Sequence, residues 1–164
     1  MPTTQTRIRT SHGLAPEIRE KAAQLLNQTL ADTFDLISQT KQAHWNVKGA
    51  NFHQLHLLFD TLAEGLQNHL DTVAERITAL GHYAQGTVRN AAQASRLEEY
   101  PAAILAGSDH LEALSARFSQ YGNFVRQAID TTAEWGDAST ADLYTAISRD
   151  ADQWLWFLEA HLQD

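Results

Sequence analysis

Cysteine is absent from the 164 residues, which excludes disulfides, thiolate metal sites and cysteine nucleophiles together. Proline is scarce, with only Pro2, Pro16 and Pro101. The long Pro-free windows suit long helices, and Pro16 and Pro101 stand where helices would begin. The basic residues are few, 9 Arg and 3 Lys, and form no block. No apolar run approaches the roughly 18 to 20 residues that span a bilayer. The opening residues, MPTTQTRIRTSHG, lack the apolar stretch of a signal peptide. A cytoplasmic protein is the expectation. The net charge of −8 has the wrong sign for a chain whose whole surface binds nucleic acid.

What remains is a globular composition, 43% hydrophobic and 20% charged. Residues 1–15 contain Arg7, Arg9 and His12 and no acid, so they read as a mildly cationic, flexible tail ahead of one domain over 16–164. From Pro16 to Asn46 apolar residues recur at steps of three and four, as on an amphipathic helix. A second stripe runs from Asn51 to Leu80, a third from Ala103 to Thr132 and a fourth from Thr140 to Leu162. The third stripe includes Leu105, and Asp137 or Ser139 can cap the fourth helix. Residues 82–102 are irregular apart from one short helix near Asn90–Leu97. No segment alternates with period two. The fold class is all-α, a four-helix bundle with a short helix in the loop between the second and third long helices.

Acids and histidines crowd into residues 44–75. On a wheel of about 100° per residue, Asp60 lies near 40° from His56, Asp71 near 60° and Glu75 near 100°. Four potential metal ligands therefore share one face of the second helix, and His44 ends the helix before it. Imidazoles with carboxylates favour iron, manganese or zinc. Asp60 and Asp71 are eleven residues apart, about 16.5 Å along a helix. A two-metal site spans only about 4 Å between its ions, so one helix cannot bring both ends to one centre. Either these are two unrelated half-sites, or a second copy of the helix supplies the missing half. An antiparallel two-fold dimer would set Asp71 and Glu75 of one chain opposite His56 and Asp60 of the other.

The run TKQAHWNVKGANFHQLHLLFDTLAEGLQNHLDTVAERITALG resembles the signature of the Dps family, the ferritin-like mini-ferritins also called DNA-binding proteins from starved cells. The spacing of His44, His56, Asp60, Asp71 and Glu75 matches that family's ferroxidase ligands at every position. DHLEALSARF and TADLYTAISRDADQWLWFLE extend the resemblance, which covers about residues 17–162. It implies a shell of twelve identical chains with di-iron sites at two-fold interfaces: His44, His56 and Asp60 from one chain, Asp71 and Glu75 from its partner. The implied chemistry is oxidation of Fe(II), usually by hydrogen peroxide, with storage of ferric mineral. Two irons give two electrons to peroxide, which suppresses release of hydroxyl radical.

The resemblance also sets Trp45 near the site as a radical quencher and implies acidic pores at three-fold axes. Asp130, Glu134, Asp137 and Asp142 are the candidates to line an iron entrance, although acids at a helix start also serve as caps. Glu64, one turn beyond Asp60, is a candidate for passing iron to the cavity. His53 and His69 read as surface histidines. The best-known family members bind DNA through a lysine-rich tail, whereas residues 1–15 here hold no lysine. Twelve chains at −8 each carry about −96, which repels a polyanion, so DNA binding is expected to be weak or absent. The competing readings are a nucleoid-condensing protein and an oligomer that sequesters zinc, with zinc as an occupant that does not turn over.

Overall fold

A computed structural model describes residues 8–163. Its helices are α1 (Pro16–Asn46), α2 (Phe52–Ala79), α3 (Val88–Ala94), α4 (Gly107–Glu134) and α5 (Ala138–Ala160). No strand occurs among the described residues. Helix α1 lies against α2 and α4 against α5, and these two hairpins close on each other through α1–α4 and α2–α5 contacts. The crossover from α2 to α4 carries α3, which packs on α1.

The first helix begins where Pro16 supplies a preset φ at a position that needs no N–H donor. Residues 47–51 turn the chain back, with Gly49 at φ +113° and Val47 fully buried beneath the turn. Leu26, Leu30, Leu36, Phe59, Leu62, Leu66, Leu114, Phe118 and Ile147 fill the core. Two buried hydroxyl pairs cross it: Thr29 with Tyr144 at 2.9 Å and Thr33 with Tyr121 at 2.8 Å. Each net bond contributes about 1 kcal/mol, and an orphaned hydroxyl there would cost more. Asp32, 1% exposed, accepts hydrogen bonds from the Arg96 backbone and guanidinium, tying α1 to the segment after α3.

The crossover departs from expectation in two places. Helix α3 starts and ends earlier than Asn90–Leu97, because the Thr87 hydroxyl accepts from the Asn90 N–H and caps it. Helix α4 starts at Gly107 rather than Ala103. Pro101 opens a turn instead of a helix, and Ala103 takes the left-handed φ of 59°. Leu105 is 53% exposed rather than part of the buried stripe, and its carbonyl accepts the Lys48 N–H at 2.8 Å. A backbone bond from the α1–α2 turn thus holds the chain extended where apolar spacing suggested helix. At the fourth helix Asp137 is the cap, accepting from the Thr140 N–H, while Ser139 lies inside α5.

Residues 1–7, Arg7 among them, lie outside the described residues. From Ile8 the chain runs along the α2 end: the Ile8 N–H donates to the Gly81 carbonyl at 2.8 Å, and Arg19 Nη1 to the Leu80 carbonyl at 2.9 Å. Gly81 is required twice over, by its φ of +81° and because a Cβ would come within 2.8 Å of the Ile8 carbonyl oxygen.

Candidate metal centre

The turn at 47–51 places the end of α1 opposite the start of α2, so His44 and His56 meet face to face. Their ring centroids are 3.8 Å apart, with 18° between the planes. His44 Nδ1 lies 2.7 Å from the His56 carbonyl oxygen, and His56 Nδ1 lies 2.8 Å from the His44 carbonyl oxygen. A carbonyl only accepts, so each Nδ1 carries its proton and donates. In the neutral rings both Nε2 atoms are left with free lone pairs, the form that binds a metal. Each ring is oriented by the other's backbone rather than by its side chain.

Asp60 sits one turn after His56. Its Oδ1 is 3.9 Å from His44 Nε2 and 2.6 Å from Lys41 Nζ. The hydrogen bond from Lys41 holds the Asp60 carboxyl below its usual range, with the Lys41 charge and the two imidazoles acting in the same direction against desolvation. Asp60 is therefore anionic at neutral pH. Lys41 is the residue that sequence reasoning missed. Its signal was available, since it stands three residues before His44 on the same helix face. Lys41 also lies over the Trp45 ring, 5.7 Å from the centroid, and Trp45 itself is 62% exposed.

Asp71 and Glu75 are exposed on α2, and neither carboxylate has a hydrogen bond or ion pair among the described residues. Along the helix Asp71 stands about 16.5 Å from Asp60. Within one chain no three His, Asp or Glu side chains among the described residues converge on a single metal position. The chain thus gathers His44, His56 and Asp60, and holds Asp71 and Glu75 apart from them.

The ferritin-like domain family model matches residues 23–164. The chain is 44% identical over 156 residues to the DNA protection during starvation protein of Agrobacterium fabrum, covering 95% of this chain and 96% of that one. It belongs to the Dps family. Among solved Dps structures it is similar to DpsC from Streptomyces coelicolor, at 33% identity and a TM-score of 0.92, covering 97% of this chain and 93% of that chain. The Dps protein of Vibrio cholerae O1, described as a member of a broad superfamily of ferritin-like diiron-carboxylate proteins, matches at 26% identity with a TM-score of 0.89, over 96% of this chain and 99% of that one. Membership carries a role in iron storage and protection.

The remaining candidates in this Dps chain divide clearly. Asp137 is 1% exposed, capping α5 and bonded to Arg76 Nη2 at 2.8 Å. It is therefore committed within its own chain, as a helix cap. Asp130, Glu134 and Asp142 are exposed near the α4–α5 turn, and Glu64 is exposed on α2. His53 is exposed as expected. His69 is not a free surface histidine: its Nε2 lies 2.8 Å from Asp150 Oδ2, and its ring sits 5.7 Å from that of Trp154. No helix among the described residues is long and apolar enough to cross a membrane.

Proposed function

We propose that this Dps chain is a ferroxidase and iron-storage subunit that oxidises Fe(II) with hydrogen peroxide at di-iron sites shared across two-fold interfaces of a twelve-chain cytoplasmic shell. The observation that carries the reading is the locked histidine pair beside an anionic Asp60, set against two unpartnered carboxylates further along the same helix. Fe(II) is the substrate. His44 and His56 bind it through Nε2, and Asp60 supplies a negative oxygen. Asp71 and Glu75 of the partner subunit complete the ligands. Carboxylates favour Fe(III) over Fe(II), so the donor set draws the reaction toward oxidised product.

The chain's own groups have distinct tasks. The two backbone carbonyls keep both Nε2 atoms aimed at the ion. Lys41 keeps Asp60 ionised and in place while the site is empty, and must yield Oδ1 when iron arrives. Peroxide accepts one electron from each of two irons, so oxidation ends in hydroxide rather than free radical. Trp45, next to His44, is placed to quench what escapes. Asp130, Glu134 and Asp142 form the iron entrance, where a ring of carboxylates concentrates Fe(II), and Glu64 passes ions inward. The same imidazoles and carboxylates can also hold zinc, as an occupant that does not turn over. The negative charge and lysine-free tail argue against tight DNA binding.

The test is anaerobic Fe(II) loading followed by peroxide, read by absorbance and then by sizing with iron analysis. Rapid peroxide consumption with iron co-eluting in a particle of twelve chains is expected, and loss of both in Asp71→Ala and His44→Ala. Wild-type rates in those variants overturn the site assignment, and precipitated iron overturns storage.

A further inference from the structure

Tyr100 lies in the irregular crossover after α3, and His110 lies in the first turn of α4. The Tyr100 hydroxyl is 2.7 Å from His110 Nδ1, and the rings stack with centroids 6.0 Å apart at 16°. His110 is 1% exposed. Burial holds its imidazole below the usual range, opposed by Asp109 and the Ile104 backbone. With the ring proton on Nε2, His110 Nδ1 accepts and the phenol donates to it.

The other three tyrosines are built differently. Tyr83 is 62% exposed. Tyr121 and Tyr144 are fully buried and bond to the hydroxyls of Thr33 and Thr29, which are not bases. Tyr100 alone has a base in hydrogen-bond contact with its phenol. That matters because a phenol that loses an electron becomes a very strong acid. Oxidation is easy only where the proton can leave at the same time, and a base already in contact receives it with almost no motion.

One ring contact and one shared groove lead from this pair toward the elements that carry the candidate ligands. The His110 ring is 6.4 Å from Phe59, the residue before Asp60. Tyr100 and Trp45 line one groove of about 810 Å³ between α1 and α3, and Trp45 follows His44. We propose that Tyr100, with His110 as its proton acceptor, is a one-electron reservoir that serves the iron-oxidation site. This inference rests on the ferroxidase reading above.

The need arises when peroxide meets a site holding one iron. One Fe(II) and H2O2 then give Fe(III), hydroxide and a hydroxyl radical. The radical takes an electron from Tyr100 and becomes hydroxide, while the phenol proton moves to His110 Nδ1. A neutral phenoxyl and an imidazolium remain. A second Fe(II) returns the electron, and His110 returns the proton. The sum is two Fe(II) and one H2O2 to two Fe(III) and two hydroxides, the same outcome as a filled site.

The experiment loads the assembled protein anaerobically with Fe(II) well below one ion per chain, adds peroxide and freezes the sample for electron paramagnetic resonance. A tyrosyl signal is expected in wild type, narrowed when the protein is grown on ring-deuterated tyrosine. It should persist in Tyr83→Phe and vanish in Tyr100→Phe, with spin-trapped hydroxyl radical rising several-fold in the latter. His110→Gln should lower the radical's yield, since the proton then has no base in contact. Pulse radiolysis of the metal-free protein with azide radicals reads the same pair without iron and should leave a tyrosyl radical that is lost in Tyr100→Phe. Iron oxidation by wild type with no tyrosyl signal, or a signal unchanged in Tyr100→Phe, overturns this inference alone. A wild type that oxidises no iron overturns the ferroxidase reading and this inference with it.

Discussion

The sharing of one centre between two chains can be tested by mixing two inactive proteins. One carries Asp71→Ala with Glu75→Ala, the other His56→Ala with Asp60→Ala. Neither shell alone has an intact site. In a mixed two-fold dimer, symmetry gives one site all its ligands and removes four from the other. Random pairing of equal amounts makes about half of the dimers mixed, each with one good site of two, so activity returns to about one quarter of wild type. The structure also indicates that the parts survive. Asp71 and Glu75 are exposed without partners, so truncating them should change stability by no more than about 0.5 kcal/mol. Removing the His56 ring leaves its backbone carbonyl, and so leaves the bond that orients His44.

The assay dissociates and reassembles the two variants together, verifies mixed particles by native mass spectrometry, and measures the initial rate of Fe(III) formation after peroxide. Tightly bound Fe(II) per chain should recover to the same quarter. Verified mixed shells without recovery would refute the reasoning that 16.5 Å of helix forces two chains to share the site. Activity in either parent would refute the ligand set itself.

Lys41→Gln should raise the Asp60 carboxyl toward or above its ordinary range. The reason is that Lys41's hydrogen bond is the largest cause of the depression; carbon NMR of the metal-free protein reads this, and an unmoved carboxyl would show that the pair does not persist in solution. Asp137→Ala removes the α5 cap and strands the Arg76 guanidinium, a loss of about 3–5 kcal/mol. Asp137→Asn, which can still accept from the Thr140 N–H, should lose less, and equal melting temperatures for the two would contradict the cap. Gly65→Ala would put a Cβ 2.4 Å from Trp154 Cζ2. An indole packed against Phe118 and His69 has little room to move, so a cost of about 1–3 kcal/mol is expected in thermal melts.

The features that were legible in the sequence are those encoded locally. The apolar stripes of α1 and α2 repeat over eight turns, and Pro16 and Gly81 bound them, so these helices lie within a residue of expectation. The separation of Asp71 and Glu75 from His56 and Asp60 was legible for the same reason: positions on a regular helix carry their geometry in their numbering. The crossover was less legible because its conformation is set from outside. The Lys48 N–H, some sixty residues earlier, takes the Leu105 carbonyl. No local pattern announces that bond, and Pro101 with Leu105 gave a plausible helix start that it overrules.

The same distinction separates the ligands from what tunes them. Lys41, the crossed carbonyl bonds of His44 and His56, and the Tyr100–His110 pair all depend on how one element registers against another. Asp137 shows the converse. Its sequence position suits a pore as well as a cap, and the partner that decides between them, Arg76, comes from a different helix. Residue type and spacing therefore name the candidate ligands, while register between elements decides their hydrogen-bond partners. In this chain the unpartnered state of Asp71 and Glu75 carries that rule one level further. On the reading proposed above, their register is to a second copy, and the last part of the centre would be written in an interface rather than in a single fold.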